Sequence, residues 1–152
     1  DEDVILHELS DTLKREVILH LNMDIIQRIP YFLHHDREFV THIISLLQPQ
    51  FVYPSTFLFR EGEVAWEMFF LVKGQVEILV NAETVREKQL ALLEAGSYFG
   101  ELSLLLGTNR SSAARAVTHA NLFTLTKDDI RSTVAFYPQL AIRMEETLRR
   151  TL

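Results

Sequence analysis

The stretch Phe99-Gly100-Glu101-Leu102-Ser103-Leu104-Leu105 and the later Arg110-Ser111-Ser112-Ala113 are the most informative part of this chain. Gly100 allows the backbone to approach a ligand closely, and the apolar run after it predicts a short helix whose first N–H groups face an anion. Glu101 can accept hydrogen bonds from sugar hydroxyls, while Arg110 offers a planar fork of donors to phosphate oxygens. Together they suit a phosphorylated ribose, which carries hydroxyls at one end and a negative charge at the other.

These two segments resemble the phosphate-binding cassette of cyclic nucleotide-binding domains, which occur in cyclic nucleotide-dependent kinases, bacterial catabolite activators and ion channels. The resemblance implies that Glu101 binds the ribose 2′-hydroxyl and that Arg110 binds the cyclic phosphate. It continues upstream in Phe59-Arg60-Glu61-Gly62-Glu63 and Phe70-Leu71-Val72-Lys73-Gly74, and it covers roughly residues 30–152. The neighbouring residues that it adds as nucleotide contacts are Phe99, Ser111 and Ser112, with Gly100, Leu102 and Ser103 through their backbone amides.

Ser111 occupies a position at which members of that family differ in purine preference. The resemblance associates Thr there with cyclic GMP and Ala with strict cyclic AMP binding, whereas Ser keeps the hydroxyl without the methyl group. We therefore expect both nucleotides to bind, with a difference of about 1 kcal/mol or less from this hydroxyl, because one hydrogen bond contributes about 0.5–1.5 kcal/mol. Ser112, Ala113 and Ala114 also depart from the commoner family residues, which affects purine preference more than binding itself.

Composition predicts one compact domain with a small appendage. The chain has 152 residues, of which 47% are hydrophobic, and this is enough for a single core. Its net charge of −6 argues against a nucleic-acid surface, and no apolar run approaches the ~20 residues that a membrane span needs. The absence of Cys excludes disulfides and thiolate metal sites and fits a reducing compartment. Because the chain begins with Asp1 and lacks signal-peptide character, we expect a soluble piece of a larger protein.

The sequence divides into three zones with different residue patterns, and these patterns predict the fold. From Val4 to about Leu47 the apolar residues recur at helical spacing, without any Gly. The next zone holds all five glycines, and a hairpin loop is expected at 81–87 between two of its predicted strands. Thr126 is then expected to cap a helix that begins at Lys127, and Pro138 to begin another. The segments rich in β-formers, which predict strands, are 51–53, 57–59, 68–72, 75–80, 89–93 and 122–125.

The fold class predicted from these zones and from the resemblance is α+β. It is an antiparallel β-roll, or jelly-roll-like barrel, with N-terminal helices, a short cassette helix and C-terminal lid helices. Apolar residues three or four positions apart give the last helix a single apolar stripe, which by itself indicates ordinary packing on the roll. The resemblance implies in addition that this helix closes over the purine as a lid. Its candidate base contacts are Met144, Leu148 and Leu152.

The N-terminal segment of the chain indicates the kind of full-length protein to which it belongs. The segments 9–17, 20–22 and 29–32 resemble the end of the linker that joins the pore to the nucleotide domain in cyclic nucleotide-gated and hyperpolarization-activated channels. We therefore divide the chain into a helical linker segment, 1–30, and a cyclic nucleotide-binding domain, 31–152.

The channel resemblance implies that lid closure is transmitted to a channel gate, on the cytoplasmic side of the plasma membrane. The partners implied are the cyclic nucleotide and the rest of the channel in the same chain, with a homotetramer for the full-length protein and a monomer for this piece. Two alternatives stay open. One is the regulatory domain of a kinase, exchanger or exchange factor, and the other is a ligand-free structural module of channel type.

No catalytic pattern is found in the sequence. The six His residues are scattered, and His34-His35 lacks the Cys or carboxylate partners of a metal site. No Ser stands in a nucleophile elbow, and the cassette offers hydrogen bonds and charge without a metal or general base. The sequence therefore predicts binding without turnover, with no catalytic residue, no metal and no cofactor beyond the nucleotide ligand.

Overall fold

The computed structural model describes residues 37–139, together with Leu13, Ile142 and Glu146. Leu13 is helical, but the rest of the predicted linker segment 1–30 lies outside the described residues, as do the lid candidates Met144, Leu148 and Leu152. The elements are α1 (Arg37–Leu46), β1 (Gln48–Val52), β2 (Phe57–Phe59), β3 (Glu67–Lys73), β4 (Val76–Val80), β5 (Lys88–Leu93), β6 (Tyr98–Phe99), α2 (Glu101–Leu106), β7 (Ala113–Ala116), β8 (Ala120–Thr126) and α3 (Lys127–Phe136).

The strands form two four-stranded sheets whose pairings are antiparallel. One sheet has the order β1-β8-β3-β6 and the other has the order β2-β7-β4-β5. Neighbours in each sheet are mostly distant in sequence, as expected when a chain crosses repeatedly between the two layers of a roll. The predicted α+β class with an antiparallel β-roll is therefore confirmed.

Strand β3 passes between two hydrophobic clusters and separates them. Phe70 faces the cluster beneath the helices, which includes Ile43, Leu47 and Leu125. The adjacent Phe69 faces the opposite way, into the cluster inside the roll. Because both faces of β3 are buried, its sequence reads as a continuous apolar run and lacks polar alternation. This strand is the fixed element to which the functional site is attached.

Most predicted strands are present within two or three residues of their expected bounds, but two observed strands were not predicted. The short β6 precedes the cassette helix, and β7 has the sequence Ala-Ala-Arg-Ala. Alanine is a poor strand former, so local propensity gave no indication of β7. It is a strand because β2 and β4 pair with it on either side and bury three of its four residues.

Two local predictions are confirmed by the described residues. Strands β4 and β5 pair in antiparallel fashion, so residues 81–87 form the loop of a hairpin. The Thr126 hydroxyl accepts a hydrogen bond from the Asp129 backbone N–H at 3.1 Å, which caps the first turn of α3. Among the residues that the structure describes, no helix has the length and apolar character needed to cross a bilayer.

Candidate functional site

The cassette helix α2 begins where the backbone turns sharply at Gly100. Phe99 ends β6, and Gly100 adopts φ 83° and ψ 2°, a left-handed conformation that glycine reaches at little steric cost. The helix then ends at a second left-handed glycine, Gly107, whose N–H donates to the Ser103 carbonyl. A Cβ atom at position 100 would lie 3.1 Å from the Arg110 Nη1 atom. Glycine is thus favoured here both by backbone geometry and by the nearness of the arginine.

Arg110 is a buried cation, with only 5% of its surface exposed. Its Nη1 donates to the Gly100 carbonyl at 2.6 Å, and its Nη2 donates to the Glu67 carbonyl. The guanidinium also lies over the Phe59 ring, with 4.1 Å between Cζ and the ring centroid. The buried Nε has no hydrogen-bond partner among the described residues. The head of this side chain is therefore held in one orientation while part of its donor capacity stays unused.

The backbone of Arg110 is fixed as firmly as its side chain. The Arg110 N–H donates to the Glu63 carbonyl at 2.8 Å, and the Gly62 N–H donates to the Arg110 carbonyl at 2.8 Å. This reciprocal pair binds Arg110 to the turn at residues 60–63, the upstream segment that the sequence resemblance singled out. Two stretches almost 50 residues apart in sequence thus meet at the arginine.

Three carboxylates act electrostatically on the Arg110 guanidinium, those of Glu67, Glu63 and Glu101. Burial lowers the pKa of Arg110 and these carboxylates oppose that shift, so the guanidinium stays charged. Burial raises the pKa of Glu101 above its ordinary value, and a backbone hydrogen bond and Arg110 offset part of this rise. Burial likewise raises the pKa of Glu67, with Arg110 opposing. Burial of the Glu67 and Glu101 carboxylates costs solvation free energy, and such perturbed groups often occur at functional sites.

Replacing Glu101 by Gln is expected to stabilise the protein at pH 7 in the absence of nucleotide. Because the folded-state pKa of Glu101 is raised, its favourable contribution is complete below the unfolded pKa and is lost as the pH rises through the folded pKa. Gln keeps a neutral group at every pH. The variant's gain in unfolding free energy should therefore be absent near pH 4. It should increase as the pH rises above 4.5, the ordinary pKa of this carboxyl group.

Urea denaturation of both proteins between about pH 4 and pH 8 measures this difference. Glu87→Gln is the matched control of opposite sign, since hydrogen bonds from the Arg115 side chain lower the pKa of Glu87. That variant should lose stability relative to wild type as the pH rises from acid towards neutral. A Glu101→Gln protein that is less stable than wild type at pH 7 would contradict the argument.

The other predicted nucleotide contacts differ in how far they are buried. Leu102 and Ser103 are partly buried in the first turn of α2, Ser112 is partly buried, and Ser111 is exposed. Phe99 is a core residue, because its ring stacks on that of Phe69 with 5.1 Å between centroids. The structure therefore brings Gly100 together with Arg110, with Glu101 beside them.

Sequence reasoning missed two members of the site, Glu67 and the Phe59 ring. Glu67 lies 43 residues before Arg110 and reaches it only because β3 crosses the roll, so no local pattern marks it. Phe59 belongs to the upstream segment already noted for its resemblance, and that was the available signal. Within the described part of the chain, no group of His, Cys, Asp or Glu residues could hold a metal ion.

The fold and this site together define a class of protein, the small-ligand sensor built on a β-roll with a helical cassette. Residues 49–136 match the family model described as the cyclic nucleotide-binding domain, which is more than half of the chain. The chain belongs to the cyclic nucleotide-binding domain family.

Two relatives that are similar in sequence to this chain are ion channels. A cyclic nucleotide-gated cation channel of Ictalurus punctatus is 30% identical over 158 residues, which cover 100% of this chain and 23% of that protein. The human potassium/sodium hyperpolarization-activated cyclic nucleotide-gated channel 4 is 33% identical over 140 residues, 92% of this chain and 11% of the channel. The chain thus spans a quarter or less of these relatives.

A solved structure of another protein has a similar fold. The catabolite activator protein of Thermus thermophilus superposes with a TM-score of 0.71 at 28% identity, covering 80% of this chain and 57% of that one.

The sequence similarity to the Ictalurus punctatus channel includes the segment before residue 49, which the family model does not match. The predicted likeness to the channel type of cyclic nucleotide-binding domain is therefore confirmed.

Proposed function

We propose that this chain is a ligand-sensing domain that binds cyclic AMP and cyclic GMP. Arg110 binds the cyclic phosphate and Glu101 accepts a hydrogen bond from the ribose 2′-hydroxyl. The observation that carries the proposal is the buried, charged Arg110, held by the carbonyls of Gly100 and Glu67. Family membership and the channel relatives, whose names state that cyclic nucleotides gate them, support the same ligand class.

Arg110 suits an anionic ligand for physical reasons. A guanidinium whose orientation is already fixed loses little side-chain entropy when it binds a phosphate, and charge-assisted hydrogen bonds are roughly twice as strong as neutral ones. Its buried Nε has no partner among the described residues. Such an unpaired donor costs about 1–3 kcal/mol, which a phosphate oxygen would recover.

The remaining proposed contacts complete the ligand site around this pair. They are the backbone amides of Gly100, Leu102 and Ser103, the backbone beside Phe99, and the hydroxyls of Ser111 and Ser112. The exposed Ser111 hydroxyl can reach phosphate or purine, so the proposal includes both nucleotides. Met144, Leu148 and Leu152 are proposed to contact the base from the terminal segment.

We further propose that the domain binds its ligand without turnover. Hydrolysis of a cyclic phosphate needs a metal ion or a general base aimed at phosphorus. The described residues hold no metal-binding group, and the Glu101 carboxylate is assigned to the sugar. The two sequence relatives reported above are named as channels, and the family is described by binding.

The output that we propose is a channel gate. A ligand that contacts the terminal segment only when that segment closes over the purine shifts the population towards the closed form, by no more than its differential affinity. The helical linker segment predicted for residues 1–30 would transmit this movement to a pore in the same chain, on the cytoplasmic side of the plasma membrane, in a homotetramer. The support is an alignment with a channel that extends over the whole chain.

Calorimetric titration of the purified chain with cyclic AMP and cyclic GMP tests the proposed function. We expect a Kd of about 1–100 μM, or −8 to −5.5 kcal/mol, for both nucleotides. The control ligand is 5′-AMP, which has the same base and sugar but an open, more highly charged phosphate. Absence of heat and of any thermal shift with both cyclic nucleotides would refute the proposal and favour the ligand-free structural module.

A further inference from the structure

Arg115 on β7 connects three parts of the second sheet. It pairs across the sheet with Phe57 on β2 and with Glu77 on β4. Its Nε donates to Glu77 at 3.2 Å, and its two Nη atoms donate to the two carboxylate oxygens of Glu87 at 3.0 and 3.1 Å. Glu87 is the last residue of the hairpin loop 81–87, so a bidentate ion pair fixes that end of the loop to β7.

The opposite side of the hairpin loop is attached to the turn at residues 60–63. Glu83 forms an ion pair with Arg60, whose guanidinium lies 3.8 Å from the centroid of the Phe57 ring. The Ala82 N–H donates to the Glu61 carboxylate at 3.2 Å. The loop therefore has separate attachments to a strand and to the turn that carries the reciprocal backbone bonds to Arg110.

Internal hydrogen bonds give the hairpin loop a defined shape. The Thr84 N–H donates to the Asn81 carbonyl at 3.2 Å, and the Glu87 N–H donates to the Thr84 carbonyl at 3.1 Å. The Glu83 backbone N–H donates to the Glu87 carboxylate at 2.9 Å, so the two residues that anchor the loop are also bonded to each other. A segment bonded in this way can transmit a restraint from one attachment to the other.

We propose that the hairpin loop positions Arg110 for the nucleotide. Arg115 fixes the loop to β7, and the loop restrains the 60–63 turn through Arg60. That turn sets the Arg110 backbone through its two 2.8 Å hydrogen bonds. Arg115 and Arg60 are thus positioning residues that act without contact with the ligand. This inference rests on the proposed function for its effect on affinity but has a readout of its own.

The size of the effect follows from the exposure of the two pairs. The Arg60–Glu83 side chains are 53% and 56% exposed, so solvent screens that pair strongly. The Arg115–Glu87 side chains are 20% and 30% exposed, and their pairing is bidentate within a network. We expect each single neutralisation to weaken nucleotide binding about two- to five-fold, and the loss of both pairs to weaken it about ten-fold.

The experiment compares wild type with Glu83→Gln, Glu87→Gln and the double variant, which keep side-chain size and remove charge. Calorimetry with cyclic AMP at about 50 mM and 500 mM salt gives affinity, and amide exchange by NMR reports on the Gly62 and Arg110 N–H groups. The double variant should exchange both amides faster and bind about ten-fold more weakly at low salt. Because salt screens exposed pairs, the difference should shrink at high salt.

Asp128→Asn is the matched control, since Asp128 faces Arg131 at 4.0 Å in an exposed pair on α3. It should change neither exchange nor affinity. The proposal is overturned if the double variant exchanges both amides at the wild-type rate, or if it binds within two-fold of a wild type that does bind. If wild type itself does not bind cyclic AMP or cyclic GMP, the proposed function fails and amide exchange alone decides whether the loop restrains Arg110.

Discussion

Arg110→Lys is expected to weaken cyclic nucleotide binding about 100-fold, which corresponds to about 2.7 kcal/mol. Lysine keeps the positive charge but lacks the rigid planar fork that can bind a phosphate while also donating to fixed carbonyls. The loss should equal roughly one or two charge-assisted hydrogen bonds of about 1.5–3 kcal/mol each. Calorimetric titration with cyclic AMP measures it directly.

The same substitution should also lower stability, and the two effects can be separated. The carbonyls of Gly100 and Glu67 each accept from the Arg110 guanidinium, and a buried carbonyl without a donor costs about 1–3 kcal/mol. Urea denaturation gives that cost, and titration well below the melting temperature gives the affinity of the folded form. Arg131→Lys is the control for a general loss of charge geometry, because the Arg131 side chain is 69% exposed on α3. Binding by Arg110→Lys within three-fold of wild type would remove Arg110 from the ligand site.

The sequence predicted the local parts of the site because their chemistry is local. A glycine that frees the backbone at position 100 and a short helix after it both follow from a few consecutive residues, and the helix is observed from Glu101. The resemblance supplied Arg110 at a fixed spacing. Neither the local pattern nor the resemblance could indicate that two Arg110 donors bind the carbonyls of Gly100 and Glu67. Those contacts depend on where β3 passes. Local patterns thus indicate the candidate functional groups, and the tertiary fold decides their partners.

The same distinction explains the strands. Those with β-branched and aromatic residues, such as Phe57–Phe59 and Val76–Val80, were predicted because their composition favours a pleated, half-buried surface. Ala113–Ala116 lacks such residues and forms a strand through pairing on both sides. Its small side chains are needed there, since Ala113 and Ala114 are completely buried. Dense packing selected alanine against its strand propensity, which no single-sequence pattern records.

Gly74→Ala is expected to reduce the free energy of unfolding by about 2–5 kcal/mol, the largest effect on stability among these predictions. Gly74 has φ +98° between β3 and β4, where an L residue costs about 1–2 kcal/mol. A Cβ atom there would also lie 2.3 Å from the His119 carbonyl oxygen and 3.0 Å from the Ala120 Cα atom. Because both are backbone atoms, relief requires a shift of β8, and overpacking of this kind adds about 1–3 kcal/mol.

Gly96→Ala separates the two contributions. Gly96 has φ +96°, almost the same backbone conformation, but apart from its two chain neighbours no described residue has a heavy atom within 4 Å of the position that its Cβ would occupy. It should therefore show the backbone cost of about 1–2 kcal/mol alone. Urea denaturation of both variants with equal slopes gives the steric contribution as the difference between them. Equal losses at the two positions would show that the β7–β8 turn yields freely. A larger loss at Gly74 would show that this turn holds β8 rigidly against β3, the strand whose Glu67 carbonyl helps to orient Arg110.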